Sequence, residues 1–112
     1  MPHYLPKNYA FEYMFTGDLI SAEDAFRLGM LNRLVPPDKL MPTAEMIAKK
    51  ISGNAPLAVR GMKEATILAS DLPMAQRFAI SKPIAQRVAD TEDAKEGVRA
   101  FLEKRQPVWK GK

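Results

Sequence analysis

The residues that could perform chemistry are few and widely separated in this sequence. His3 is the only histidine, and the chain of 112 residues has no cysteine. A thiol nucleophile, a thiolate zinc site and a serine–histidine pair therefore have no basis. The adjacent acids Glu23–Asp24 and Glu92–Asp93 fall in first turns of predicted helices, where capping and the helix dipole account for them. We expect no catalytic residue and no metal site.

Composition and charge narrow the class of protein further. The six glycines are isolated, which excludes a phosphate-binding glycine loop. Residues 1–56 carry six basic and six acidic side chains and residues 57–112 carry eleven and seven, so the net charge of +4 lies in the second half. Acidic residues interleave with the basic ones there, which argues against a nucleic-acid partner. Without an apolar run long enough for a membrane span or a signal sequence, we expect a cytoplasmic protein with no membrane partner.

Helical periodicity dominates the chain and predicts a mainly α fold. We expect one small domain over residues 1–112, with five to six helices and one brief extended segment at residues 31–35. The expected helices cover residues 8–16, 22–30, 41–52, 56–70, 74–90 and 92–105. The last of these would hold Lys104 and Arg105 in its final turn, where the dipole favours cations.

Capping and helix-breaking residues set the expected boundaries of these helices. The predicted N-caps are Asn8, Ser21, Asn54 and Thr91. Pro42 fits only the first turn of a helix, which is why the third helix is expected to begin near residue 41. Pro83 lies in the middle of residues 74–90 and lacks an amide donor, so we expect a kink there or two helices.

Three features predict how the helices pack. The fourth helix carries an expected buried stripe of mostly small residues, with Gly61 allowing close approach of another helix; the stripe comprises Ala58, Met62, Ala65 and Ala69. The fifth helix has an apolar stripe that includes Met74 and Phe78. Trp109 is expected to pack the C-terminal tail onto the helices.

Several motifs, in order along almost the whole chain, resemble the C-terminal part of the enoyl-CoA hydratase/isomerase (crotonase) family. They are residues 20–25 (ISAEDA), 29–36 (GMLNRLVP), 54–59 (NAPLAV), 91–97 (TEDAKEG) and 101–105 (FLEKR), together with Phe11, Thr16, Gly17 and Lys63. The resemblance implies that this chain corresponds to the helical trimerisation region of the crotonase fold. It also implies that the family's catalytic glutamates and the two amides that polarise the thioester carbonyl would lie upstream of Met1.

The resemblance implies one binding site within the chain. By position in the FLEKR motif, Lys104 would offer its ammonium group to a coenzyme A phosphate, and Phe101 would lie near the adenine. A solvated lysine favoured by the helix dipole is the alternative explanation of Lys104. Many relatives have a large aromatic residue before the final helix, where this chain has Ala85, and this departure puts the adenine pocket in question.

Two functions follow as expectations. The first is the C-terminal part of an acyl-CoA enzyme that hydrates or isomerises 2-enoyl-CoA, forms a homotrimer or a dimer of trimers, closes the coenzyme A site and is inactive alone. Its substrate would be the coenzyme A thioester, with no further cofactor. The alternative is a free-standing helical module for oligomerisation or for binding an anion or acyl-CoA.

Overall fold

A computed structural model describes residues 4–112, so the expectation for His3 lies outside the described residues. This part of the chain contains six helices and no strand, which confirms the mainly α fold. The helices are α1 (Lys7–Thr16), α2 (Ala22–Arg27), α3 (Pro37–Ser52), α4 (Pro56–Ala69), α5 (Met74–Ala89) and α6 (Glu92–Leu102). The contacts divide the chain into two compact units, Met1–Thr43 and Ala44–Lys112. No helix within residues 4–112 is long and apolar enough to cross a bilayer.

The first unit contains the short helices α1 and α2 and the beginning of α3. Helix α1 begins at Lys7 with Pro6 at the N-cap position and no side-chain cap, so the prediction of Asn8 as an N-cap is wrong: Asn8 lies inside the first turn. Gly17 ends α1 in the left-handed conformation (φ 75°), and its amide donates to the Tyr13 carbonyl at 3.1 Å. The Ser21 hydroxyl accepts from the Asp24 amide at 3.0 Å, and it donates to the Asp24 carboxylate at 2.9 Å. The N-cap prediction for Ser21 is confirmed. However, α2 ends at Arg27 rather than near residue 30.

The third helix begins four residues earlier than expected, at Pro37, so Pro42 lies inside it. A proline is well suited to the first position of a helix because the missing amide has no intrahelical partner there. Pro37 takes this role, which the sequence interpretation had given to Pro42. Because proline has no amide hydrogen, Pro42 cannot donate to the carbonyl of Asp38. Asp38 is exposed, so water can bind this carbonyl instead.

Asn54 stabilises the end of α3 instead of the start of α4. Its side-chain amide donates to the Lys50 carbonyl at 2.8 Å, while the residue that precedes α4 is Ala55, with no side-chain cap. The prediction of Asn54 as an N-cap is therefore wrong. An amide side chain can donate as well as accept, and at this junction the unpaired carbonyls of α3 compete for it.

Helices α4 and α5 pack closely in the second unit. A Cβ atom on Gly61 would lie 2.5 Å from the Cγ2 of Val88, so the two helices could not approach this closely with a larger residue. Gly61, Ala69 and Ile84 are buried here. The predicted role of Gly61 is confirmed, although Met62, Met74 and Phe78 of the expected stripes are exposed.

Helix α5 is continuous from Met74 to Ala89, so of the two expectations at Pro83, a kink or two helices, the second is wrong. The proline removes one hydrogen bond to the carbonyl of Ala79. Ala79 is exposed, and water can satisfy its carbonyl. The buried neighbour Ile84 and the contact at Val88 then hold the rest of the helix against α4.

Candidate functional site

The expected site lies where α6 ends. Thr91 caps the start of this helix by accepting from the Ala94 amide at 3.1 Å, as predicted. The helix ends at Leu102, so Lys104 lies beyond it and not in its last turn. The exposed Phe101 ring belongs to the last turn, and Lys104 is exposed two residues after the helix end. The structure therefore brings the two predicted residues to the same helix end.

Lys104 has the left-handed backbone conformation that usually belongs to glycine, with φ 52°. Its amide donates to the Phe101 carbonyl at 3.2 Å, and the Arg105 amide donates to the Ala100 carbonyl at 3.0 Å. These two bonds form a Schellman motif with lysine in the position that glycine normally occupies. A residue with a Cβ in this conformation is strained by about 1–2 kcal/mol.

An ion-pair network surrounds this turn. The Arg105 guanidinium donates to both carboxylate oxygens of Glu96, at 2.7 and 3.0 Å, and its Nε donates to Glu103 at 2.5 Å. The Val108 amide also donates to Glu96, at 3.0 Å. The hydrogen bonds from Arg105 and Val108 lower the pKa of Glu96 to about 2. The same network raises the pKa of Arg105.

The chain after Arg105 returns to the start of α6 and is held there by Asp93. The Asp93 side chain is 1% exposed, and its two oxygens accept from the amides of Lys110 (2.7 Å) and Gly111 (2.9 Å). The Asp93 amide in turn donates to the Lys112 carbonyl at 3.1 Å. We refer to residues 107–112, held in this way, as the docked tail.

Trp109 fixes the middle of the docked tail. Its indole nitrogen donates to the Gly53 carbonyl at 2.8 Å, and a Cβ on Gly97 would lie 3.4 Å from its ring. The predicted packing of Trp109 against the helices is confirmed. Beside the tail, a cavity of about 230 Å³ is lined by Glu92, Asp93, Lys95, Glu96, Arg99, Val108 and Lys110.

The family model of enoyl-CoA hydratase/isomerase matches residues 1–112. The chain belongs to the enoyl-CoA hydratase/isomerase family. It is 38% identical over 111 residues to (E)-benzylidenesuccinyl-CoA hydratase of Thauera aromatica, covering 99% of this chain and 43% of that protein. It is 37% identical over 116 residues to carnitinyl-CoA dehydratase of Salmonella paratyphi B, covering 100% of this chain and 44% of the relative. The chain thus spans less than half the length of these relatives.

Solved structures of the enoyl-CoA hydratase/isomerase family share the fold. An enoyl-CoA hydratase from Mycobacterium marinum superposes with a TM-score of 0.94 at 39% identity, covering 100% of this chain and 44% of that structure. An enoyl-CoA hydratase from Bacillus anthracis gives 0.95 at 36% identity, with 99% and 43% covered. The six-helix fold described above for residues 4–112 is therefore shared with other members of the family.

The interpretation of the sequence missed the residues that organise this family member's helix end. The sequence interpretation explains Asp93 by its place in a first helical turn and Arg105 as a last-turn cation favoured by the dipole, and it includes Glu96 only as a member of the TEDAKEG motif. Asp93 binds amides 17 and 18 residues away, a separation that helical periodicity does not reveal. Within residues 4–112, no group of three or more histidine or acidic side chains could hold a metal ion.

Acidification is expected to destabilise the second unit through Glu96. Its pKa is lowered from 4.5 to about 2 in the folded chain, so the unfolded chain binds more protons in this interval. The contribution to stability is complete above about pH 4.5 and disappears as the pH falls towards about 2. Urea unfolding followed at several pH values measures it. Glu96→Gln should reduce the change in unfolding free energy between about pH 4.5 and pH 2, whereas Glu92→Gln, on the same helix, should leave that change as it is.

Proposed function

We propose that this chain forms the C-terminal helical domain, residues 1–112, of an acyl-CoA enzyme of the enoyl-CoA hydratase/isomerase family. The reaction of the whole enzyme would be the addition or removal of water on a coenzyme A thioester, since the named relatives are a hydratase and a dehydratase. The domain would contribute oligomer contacts, close the coenzyme A site and lack activity alone. The match of the whole chain to less than half of each relative carries this proposal.

The exposed apolar side chains support a role in contacts with further protein surface. The buried hydrophobic residues of the described chain are small for the most part: Leu5, Ala10, Ala25, Ala69, Ile84 and Ala100. Larger residues such as Phe15 (79%), Leu19 (98%) and Leu102 (74%) are exposed. Exposed apolar surface of this kind is typical of interaction sites. A homotrimer, or a dimer of trimers, would cover part of it.

The backbone of Lys104 supports a role for this residue in binding coenzyme A. A glycine in its place would relieve the left-handed strain, so stability alone does not favour lysine here. Strained residues tend to occur at ligand-binding and catalytic sites. The Lys104 ammonium is a point charge suited to a phosphate of coenzyme A, and the exposed Phe101 offers an apolar surface to the adenine.

Hydration of crotonyl-CoA by the purified chain tests the proposed lack of activity. We expect no turnover above the uncatalysed rate, with a complete enoyl-CoA hydratase as the positive control. Turnover well above background would contradict the proposal. Sedimentation and hydrophobic-dye binding of the same sample distinguish the alternative. A free-standing module should sediment as a discrete oligomer and bind no dye, whereas the separated domain should bind dye or aggregate.

Removal of the Lys104 ammonium should weaken coenzyme A binding. We expect Lys104→Met to reduce the affinity about tenfold, equivalent to about 1.4 kcal/mol, as a lost charge-assisted hydrogen bond would. Lys104→Gly should lose the same affinity while gaining about 1 kcal/mol of stability from the relief of strain. Binding is measured by coenzyme A titration monitored by NMR. Lys95→Met removes an equal charge from an exposed site on α6 and is the control; equal losses in both variants would contradict the assignment.

A further inference from the structure

The turn that contains Lys104 is bridged by the side chain of the next residue. The guanidinium of Arg105 binds Glu103, the residue before Lys104, and it also binds Glu96 in the middle of α6. The residues immediately before and after Lys104 are thus joined through a single side chain. Glu96 is itself held by the Val108 amide at 3.0 Å. The residues on both sides of Lys104 in the chain are therefore held by side-chain contacts, while Lys104 itself is exposed.

We propose that Glu96, acting through Arg105, is a positioning residue that holds Lys104 in the conformation in which it binds a coenzyme A phosphate. This inference rests on the function proposed for Lys104. The two parallel bonds between Arg105 and Glu96 fix the guanidinium in orientation as well as position. Glu96 does not touch the ligand in this proposal; it acts only through the neighbouring residue.

The partial burial of Glu96 distinguishes this pair from an ordinary surface ion pair. The side chain of Glu96 is 18% exposed and that of Arg105 is 37% exposed. The pair between Lys110 and Glu92, by comparison, is 3.8 Å long with side chains 62% and 58% exposed. Exposed single pairs contribute little because two long side chains must be ordered in water. The bidentate, network-forming pair at Glu96 is the one able to hold the turn at Lys104.

Glu96→Gln is the first test, because it preserves size and removes the charge. We expect the backbone couplings and chemical shifts of Lys104 to move away from left-handed values, with coenzyme A affinity about tenfold lower, as in Lys104→Met. The double variant Glu96→Gln/Lys104→Met should bind coenzyme A no more weakly than Lys104→Met alone, since both changes remove the same contact with the phosphate. Glu92→Gln is the matched control on the same helix and should leave Lys104 and the affinity unchanged.

Arg105→Lys is the second test and covers the case in which Glu96→Gln fails to fold. A lysine retains the charge but cannot bind Glu96 and Glu103 with one planar group. We expect it to give the same tenfold loss as Glu96→Gln. A left-handed Lys104 with unchanged affinity in these variants, or additive losses in the double variant, would overturn the proposal. Wild-type affinity in Lys104→Met would instead refute the proposed function, and the backbone of Lys104 in Glu96→Gln would still report on positioning.

Discussion

Replacement of Asp93 by alanine is expected to lower the free energy of unfolding by about 3 kcal/mol, because two hydrogen bonds to a charged group are lost at about 1.5 kcal/mol each. The amides of Lys110 and Gly111 would lose their acceptor at a place where the side chain is 1% exposed. The docked tail should then detach from the start of α6. Urea denaturation monitored by circular dichroism gives the change in stability.

Glu92→Ala provides the control for Asp93. Both residues lie in the first turn of α6, where the helix dipole favours negative charge, but Glu92 is exposed and forms a 3.8 Å pair with Lys110. We expect a loss of less than about 1 kcal/mol in this variant. Equal losses at the two positions would show that Asp93 acts through the dipole alone.

Gly61→Ala is expected to destabilise the packing of α4 on α5. The added methyl group would lie 2.5 Å from the Cγ2 of Val88, a stiff β-branched side chain, so a backbone shift or a strained rotamer must follow. Overpacking of this kind costs about 1–3 kcal/mol, and the better helix propensity of alanine offsets about 1 kcal/mol of it. Thermal unfolding should show a net loss.

Gly97→Ala is the matched comparison, since Gly97 also lies inside a helix. A Cβ there would meet the Trp109 ring at 3.4 Å, an ordinary van der Waals distance. We expect this variant to gain up to about 1 kcal/mol. In the double variant Gly61→Ala/Val88→Ala, the smaller side chain at position 88 removes the steric conflict and should restore part of the lost stability. Equal effects of alanine at positions 61 and 97 would contradict the steric explanation.

The parts of the fold that depend on neighbouring residues were predictable from the sequence. Ser21 and Thr91 cap their helices through bonds to residues three positions later, and the resemblance in the motifs led to the family that the comparisons show. Asn54 and Pro42 were misplaced because another group competes for the same role: the carbonyls of α3 for the Asn54 amide, and Pro37 for the first helical position.

The candidate site was predictable only in part. The motif placed Phe101 and Lys104 near a helix end, and the structure places them there. The left-handed backbone of Lys104 has no glycine to indicate it, and the Arg105–Glu96 pair joins residues nine positions apart, a separation without a periodic signature. The docked tail depends on still longer separations, so the acids of α6 looked like ordinary first-turn residues.

The position of Trp109 also gives this protein an internal optical reporter. It is the single tryptophan of the chain, it belongs to the unit Ala44–Lys112, and its indole nitrogen is bound to the Gly53 carbonyl. Its emission should respond to release of the tail and to unfolding of that unit, whereas far-ultraviolet dichroism records helices of both units. Coincidence of the two signals during denaturation would therefore establish that the units unfold as one cooperative system.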